Sequence, residues 1–393
     1  MMVNYLINAE SVQESNVFLR KLWSELNDIR PIGWQMFPHK ANNKVTIGIS
    51  NFGEVSFDYV RKGCIKNIII DNTHDEDAVI LKAIQNAQKN SLKDYCISLE
   101  LRSDKKISVQ ETNTPLCRVF SNNGNIFIHF GFKAYSFWDI DRVIPSKFMP
   151  IESVLYEYTN RLFHVEQVKV AEGKFEGETT KTISYDYDWI DLEDCPKNSD
   201  DQVVLPTDFF ELISYIVDDD RFDENVELLL NSSNLLMTTA DIVRELEFPN
   251  YSVKSDIINS MVCSTMEPLS LLLNDNHERC PTCNNMIFSV NRKIKELCTY
   301  YFGKEFARYV SNVIYSKRSV FFHKGQPETT QRPNSIFCPQ ISSSTGGVMM
   351  PYGLVNYTLF SYSSFLFRNI ARDYFGGNID SVREVVKNSA EST

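Results

Sequence analysis

Two side chains with the chemistry to act on a phosphodiester stand five residues apart near the end of a predicted helix. The stretch 315–325 reads Tyr-Ser-Lys-Arg-Ser-Val-Phe-Phe-His-Lys-Gly, which places an arginine at 318 and a histidine at 323. A guanidinium can hold the charge of a phosphate, and an imidazole can transfer protons near neutral pH. Together they are the minimum equipment for cleaving RNA without a metal ion. An Arg/His pair alone is weak evidence for RNA cleavage, so the residues around it decide how it is interpreted.

The region around this pair is basic, although the chain as a whole is acidic. The 393 residues have a net charge of −11, but 186–226 hold fourteen acidic against two basic residues and account for the excess. The segment 291–324 has a net charge of +6. A local basic region is what a phosphate-binding surface requires.

The motif and its helical context resemble the HEPN superfamily (higher eukaryotes and prokaryotes nucleotide-binding), and most closely the Apea-type branch of prokaryotic defence proteins. In that branch a tyrosine precedes an Arg-Ser pair, and a histidine and a glycine follow after a short gap. The corresponding residues here are Tyr315, Arg318, Ser319, His323 and Gly325, with Lys324 as one extra residue before the glycine. The resemblance covers about 205–385 and does not extend to the N-terminal half.

The resemblance implies a helical domain that forms a homodimer and brings two Arg/His pairs together in a cleft. By this resemblance, His323 is the acid/base on the 2′-hydroxyl and the leaving oxygen, and Arg318 clamps the scissile phosphate. The expected product is a 2′,3′-cyclic phosphate, and no cofactor is required. The further candidate site residues are Ser319, which would orient the site, and Tyr315, Lys317 and Lys324, which would contact the substrate. The implied function is an endoribonuclease in anti-phage defence or toxin-like growth arrest, with RNA as substrate and a phage trigger or antitoxin protein as a further partner.

Helix geometry constrains how the pair can work. Residues five apart lie about 140° apart around an ideal helix, so Arg318 and His323 do not share a face. Either Arg318 wraps around the helix, or the last turn is distorted, or the working pair spans two subunits. The alternative function is a non-catalytic HEPN module that binds nucleotide, RNA or a protein partner. In that case Arg318 makes a surface ion pair and His323 caps the helix.

A second cluster of candidate residues suggests a structural zinc site. His277, Cys280 and Cys283 form a His-x2-Cys-x2-Cys pattern between two predicted helices. Three such ligands at this spacing are typical of zinc knuckles, and Cys338 or Cys298 would supply the fourth. A connecting loop with free thiols and a redox pair are the alternatives.

The elements that must position these residues indicate an α+β fold. Residues 1–180 are predicted to form an α+β sensor or recognition domain, 181–204 an acidic linker, and 205–393 a HEPN-like helical domain. The N-terminal elements are helices at 10–28 and 75–93, strands at 44–50, 55–60, 65–70, 95–101, 106–109 and 125–130, and a turn at 122–124. The C-terminal helices are expected at 207–218, 222–246, 252–274, 289–302, 304–324 and 353–375. His129 is interpreted as a half-buried side chain in its strand.

Composition favours a cytoplasmic protein without a membrane partner. Hydrophobic residues make up 43% and charged residues 23% of the chain, as in soluble globular proteins. The N-terminus lacks the basic region of a signal peptide. No apolar run approaches the roughly 20 residues that span a bilayer. The nine cysteines are scattered without the spacing of a disulfide framework.

Overall fold

A computed structural model describes residues 2–29, 44–50, 53–60, 63–72, 77–177, 189–190, 195–218, 221–245, 253–273, 290–315, 318, 340–341, 348–349 and 352–391. Within these residues the fold is α+β, as predicted. The α-helices are Val12–Ile29 (α1), Asp77–Lys89 (α2), Phe137–Val143 (α3), Pro145–Thr159 (α4), Thr207–Val217 (α5), Glu224–Glu245 (α6), Val253–Leu272 (α7), Val290–Phe302 (α8), Lys304–Tyr309 (α9), Tyr352–Phe375 (α10) and Ile379–Glu391 (α11), and a π-helix spans Val310–Tyr315. The strands are Met2–Leu6 (β1), Lys44–Ser50 (β2), Gly53–Tyr59 (β3), Ile65–Asn72 (β4), Lys93–Ser103 (β5), Thr112–Asn113 (β6), Cys117–Asn122 (β7), Asn125–Ala134 (β8), Phe163–Glu172 (β9), Gln340–Ile341 (β10) and Val348–Met349 (β11).

The chain divides into two compact units. One comprises 1–96, 131–146 and 170–174, and the other comprises 97–130, 147–169 and 175–393. The domain boundaries expected from the sequence, at 180 and 205, stay predictions.

The first unit is built on an antiparallel sheet with strand order β1-β4-β3-β2. Helices α1 and α2 pack on each other and contribute to one core with the sheet. In α1 the buried positions Phe18, Leu22 and Leu26 recur every four residues, so they lie on one face of the helix. Val12 and Val17, two further apolar residues of α1, lie off this face and are 48% and 37% exposed.

A second sheet has five strands in the order β6-β7-β8-β5-β9. Strand β5 alternates between buried and partly exposed residues, the pattern of a sheet that buries one face. The predicted turn at 122–124 is confirmed, because Asn123 and Gly124 both have positive φ angles, 54° and 85°. This two-residue Asn-Gly loop is the type that matches the twist of a hairpin, and it joins β7 to β8.

The C-terminal helices pack mainly on α7. Helix α6 has the most extensive contact with it, α10 packs on both α6 and α7, and α8 packs on α7. The core between them includes Leu229, Val262, Leu297 and Phe367, each fully buried. The aromatic residues Phe360 and Phe367 of α10 therefore contribute to core packing.

Several elements differ from the sequence-based prediction. The run 106–109 is not a strand: only Val109 pairs, in an isolated bridge with Val203. Val203 and Val204 are buried, so the end of the predicted linker is packed and not solvated. Among the described elements, the sequence analysis missed strands β1, β6, β7, β9, β10 and β11 and helices α3, α4 and α11. Helix α4 carries Pro150 in its interior, a residue that argues against a helix, and α3 has only 7 residues.

Candidate active site

Arg318, the predicted phosphate clamp, is held by three polar side chains. Its Nε and Nη2 atoms donate to the Ser264 hydroxyl at 3.3 Å and 3.2 Å, and its Nη1 donates to the Tyr315 hydroxyl at 3.2 Å. Nη2 also forms an ion pair with the carboxylate of Glu267. The Arg318 side chain keeps 20% of its surface exposed. The guanidinium is thus oriented by its neighbours, and part of the Arg318 side chain is exposed.

Tyr315 connects the members of this polar cluster. Its ring is buried, and the guanidinium carbon of Arg318 lies 5.1 Å from the ring centroid. Its hydroxyl donates to Glu267 Oε1 at 3.2 Å. Burial, followed by the negative charge of Glu267, raises the pKa of Tyr315 to about 12. The phenol therefore stays protonated at neutral pH and acts here as a hydrogen-bonding group.

The chain before Arg318 contains a distorted helical segment. Gly303, with φ +89°, separates α8 from α9, and α9 passes directly into the π-helix Val310–Tyr315. A π-helix closes its hydrogen bonds over five residues, and such segments occur often at functional sites. The π-helix ends before Arg318, so it does not change how Arg318 and His323 are arranged relative to each other, and the three arrangements stay open. His323 itself lies outside the described residues.

Ser264 and Glu267 were not identified from the sequence. They lie three residues apart on α7, so their side chains share a face. Helix α7 contacts the π-helix, and this packing brings both residues to Arg318. Nothing in the local sequence indicates the contact, because it depends on how two helices distant in the chain pack.

The remaining predicted site residues fall outside the described residues. These are His323, Ser319, Lys317 and Lys324 of the motif, and His277, Cys280, Cys283 and Cys338 of the zinc hypothesis. Cys298, the alternative fourth ligand, is buried in α8, and burial raises the pKa of its thiol. Within the described ranges no group of three or more His, Cys, Asp or Glu side chains could hold a metal ion. The zinc site stays a prediction.

A separate polar cluster is fully buried, between α4 and α10. The Nη1 and Nη2 atoms of Arg368 donate to the backbone carbonyls of Glu157 at 2.8 Å and Trp189 at 3.2 Å. The Arg368 guanidinium carbon lies 3.6 Å from the centroid of the Trp189 ring. The Glu157 carboxyl is completely buried beside Ser364 and Arg368. Burial raises the pKa of Glu157 to about 8, and Ser364 and Arg368 offset only part of this effect.

Comparisons with protein-family models, with curated proteins and with solved structures find no match to this chain. Among the helices that the structure describes, none is long and apolar enough to cross a membrane.

Proposed function

We propose that this protein is a metal-independent endoribonuclease of the HEPN type. The observation that carries the proposal is the Arg318 site: a partly exposed arginine side chain, held by Ser264, Glu267 and Tyr315, three residues after a π-helix. A fixed arginine loses little freedom when it binds a phosphate, so its charge is available to the transition state at low entropic cost. The motif resemblance supplies His323 as its partner.

In the proposed reaction His323 accepts the proton of an RNA 2′-hydroxyl. The 2′-oxygen attacks the adjacent phosphorus, and the bond from phosphorus to the 5′-oxygen breaks. A protonated histidine, either the same side chain or its counterpart in a dimer, donates a proton to the leaving 5′-oxygen. Arg318 donates to the non-bridging phosphate oxygens, whose negative charge grows in the transition state. The products are a 2′,3′-cyclic phosphate and a 5′-hydroxyl, with no metal or redox step.

Glu267 gives the resting site an electrostatic brake. Its carboxylate pairs with the same guanidinium that would bind the phosphate. A phosphate entering the site must therefore share Arg318 with this carboxylate or displace it. An enzyme that acts in defence or growth arrest benefits from low resting activity, which is consistent with control by a phage trigger or an antitoxin protein.

The experiment is cleavage of bulk RNA and tRNA by the purified full-length protein in EDTA. Wild type is compared with Arg318→Ala and His323→Ala, and the matched controls are Arg244→Ala and His164→Ala, two exposed side chains of the same types outside the basic segment 291–324. We expect cyclic-phosphate ends from wild type and from both controls. We expect a loss of at least a hundredfold in the two motif variants, as for removal of a catalytic proton-transfer or charge-stabilising group. Cleavage that survives both motif substitutions would show that the site is wrong.

The second candidate function is a non-catalytic HEPN module. The ion pair between Arg318 and Glu267 favours it, because a purely structural arginine makes the same contact. The two functions differ in cells. Expression of the full-length nuclease slows growth and His323→Ala relieves the effect, whereas a binding module leaves growth unchanged in both cases. Size-exclusion chromatography of the purified full-length protein, combined with light scattering, tests the homodimer.

A further inference from the structure

The β7–β8 hairpin separates its side chains sharply by type. On one face it buries aliphatic residues, among them Val119 and Ile128, which are completely inaccessible to solvent. The opposite face carries planar groups that remain partly exposed, namely Phe120, Phe127 and His129. Because alternate residues of a strand point to opposite faces, the register of this hairpin creates the separation. The Asn-Gly loop fixes that register.

The planar groups form one continuous cluster across the two strands. Phe120 lies directly opposite Phe127 in the register, and their rings stack with centroids 5.2 Å apart and an interplanar angle of 13°. The imidazole of His129 meets the Phe120 ring edge-on at 5.0 Å. The guanidinium carbon of Arg118 lies 4.9 Å from the Phe120 centroid. Arg118, Phe120, Phe127 and His129 are called the aromatic face below.

Charges of both signs lie beside the aromatic face: Arg118 and Lys169 act on His129, whereas Glu111 pairs with Arg118 and Glu100 accepts a hydrogen bond from Asn125. Burial lowers the pKa of His129, and the charges of Arg118 and Lys169 lower it further. The imidazole is therefore neutral at pH 7 and offers an uncharged π-surface. Arg118 Nη2 forms an ion pair with Glu111 Oε1 at 2.6 Å. Because these opposite charges offset each other, stacking must supply most of the affinity of any ligand.

We propose that the aromatic face binds single-stranded RNA by stacking exposed bases on Phe120 and Phe127. Bases of any sequence present a π-surface, and aromatic side chains on the open face of an antiparallel sheet are a recurring platform for them. A guanidinium and a neutral imidazole beside the rings extend the same kind of surface. A duplex keeps its bases stacked on one another and cannot use it. The platform itself rests on the geometry of the hairpin, and the choice of RNA rests on the proposed function.

The test measures binding by the full-length protein carrying His323→Ala, so that cleavage does not interfere. The probes are a fluorescein-labelled 12-nucleotide single-stranded RNA and the corresponding duplex, followed by fluorescence anisotropy. We expect Phe120→Leu/Phe127→Leu to weaken binding of the single strand by about fivefold to a hundredfold, the loss that follows when an aromatic side chain that stacks on a base is removed. Leucine keeps the apolar packing of the sheet but removes the π-surface. The matched control is Phe222→Leu, at a phenyl ring that is 76% exposed.

A circular dichroism melt of each variant verifies that the sheet is intact, and Phe120→Trp/Phe127→Trp should retain binding. The inference is overturned if the parent protein binds no single-stranded RNA, if the duplex binds equally well, or if the leucine variant binds as tightly as its parent. The aromatic face would then serve sheet packing or a protein partner. Because binding is measured in a cleavage-deficient background, leucine-sensitive binding can persist even if the cleavage assay contradicts the nuclease function.

Discussion

Arg318 and Glu267 form an ion pair between the segment that follows the π-helix and helix α7, with side-chain exposures of 20% and 28%. The pair joins Arg318, the predicted phosphate clamp, to a carboxylate that no sequence pattern indicated. The Glu267 carboxylate partly neutralises the proposed phosphate clamp, so a change at residue 267 alters the charge that Arg318 presents to a phosphate. Removing the carboxylate is therefore the most direct perturbation of the site that leaves the motif untouched.

We expect Glu267→Gln to lower the KM for RNA by about threefold to tenfold, the range that corresponds to a partly exposed ion pair of about 1 kcal/mol. The amide oxygen of glutamine can still accept from Arg318 and Tyr315, but it no longer neutralises the guanidinium. Steady-state cleavage of a fluorogenic RNA measures KM and kcat. Glu305→Gln, at an exposed position of α9, is the matched control. An unchanged or higher KM in Glu267→Gln would refute the braking role.

We expect Tyr315→Phe to lower kcat/KM by about threefold to thirtyfold, since the hydroxyl makes two hydrogen bonds and the loss of each costs about 1 kcal/mol. The variant keeps the buried ring and removes the hydroxyl that contacts both Arg318 and Glu267. Because the pKa of Tyr315 is about 12, its protonation does not change between pH 6 and 10. The pH–rate profiles of wild type and Tyr315→Phe should therefore have the same shape over that range. Tyr300→Phe, at an exposed ring, serves as control.

We expect Glu157→Gln to stabilise the protein more at high pH than at low pH. The folded-state pKa of Glu157 is about 8, above its ordinary value of 4.5. Between these values the folded state holds a proton that the unfolded chain has released, so stability falls as pH rises from 4.5 and the full loss is reached above 8. Glutamine carries no such penalty. Thermal melts should show a gain in Tm of several degrees at pH 8.5 and a much smaller one at pH 5, whereas equal gains at both would exclude the buried acid as the cause.

We expect Gly303→Ala to destabilise the protein by roughly 1–3 kcal/mol, the cost of holding a residue with a side chain in such a backbone conformation. Gly303 has φ +89° and ψ 170°, and a Cβ at this position would meet nothing within 4 Å. The cost is therefore backbone strain and not a clash. Gly303→Asn should be similarly costly, because asparagine tolerates the left-handed helical region and not this one. Urea denaturation followed by circular dichroism measures both variants, and a neutral result for alanine would contradict the assigned conformation.

Local patterns predicted much of the fold. Strand β2 has the bounds that alternation of apolar residues indicated, and helices α5 to α8 begin and end within about two residues of the expected positions. Gly303 ends α8 where its lack of a side chain allows an unusual φ. The Arg/His motif likewise follows from residue type and spacing alone. These features depend on neighbours within a few positions, which is why periodicity and turn chemistry reveal them.

Only the tertiary structure decided which residues meet across the chain. Ser264 and Glu267 reach Arg318 because α7 packs on the π-helix, and no periodicity encodes that contact. The stacking of Phe120 on Phe127 required the strand register, which the sequence hid because β7 is short and polar at its end. Such contacts arise when packing and hydrogen bonding of distant segments are satisfied together. The sequence by itself therefore determined the elements and the candidate chemistry, and the packing of those elements determined the surroundings in which that chemistry would operate.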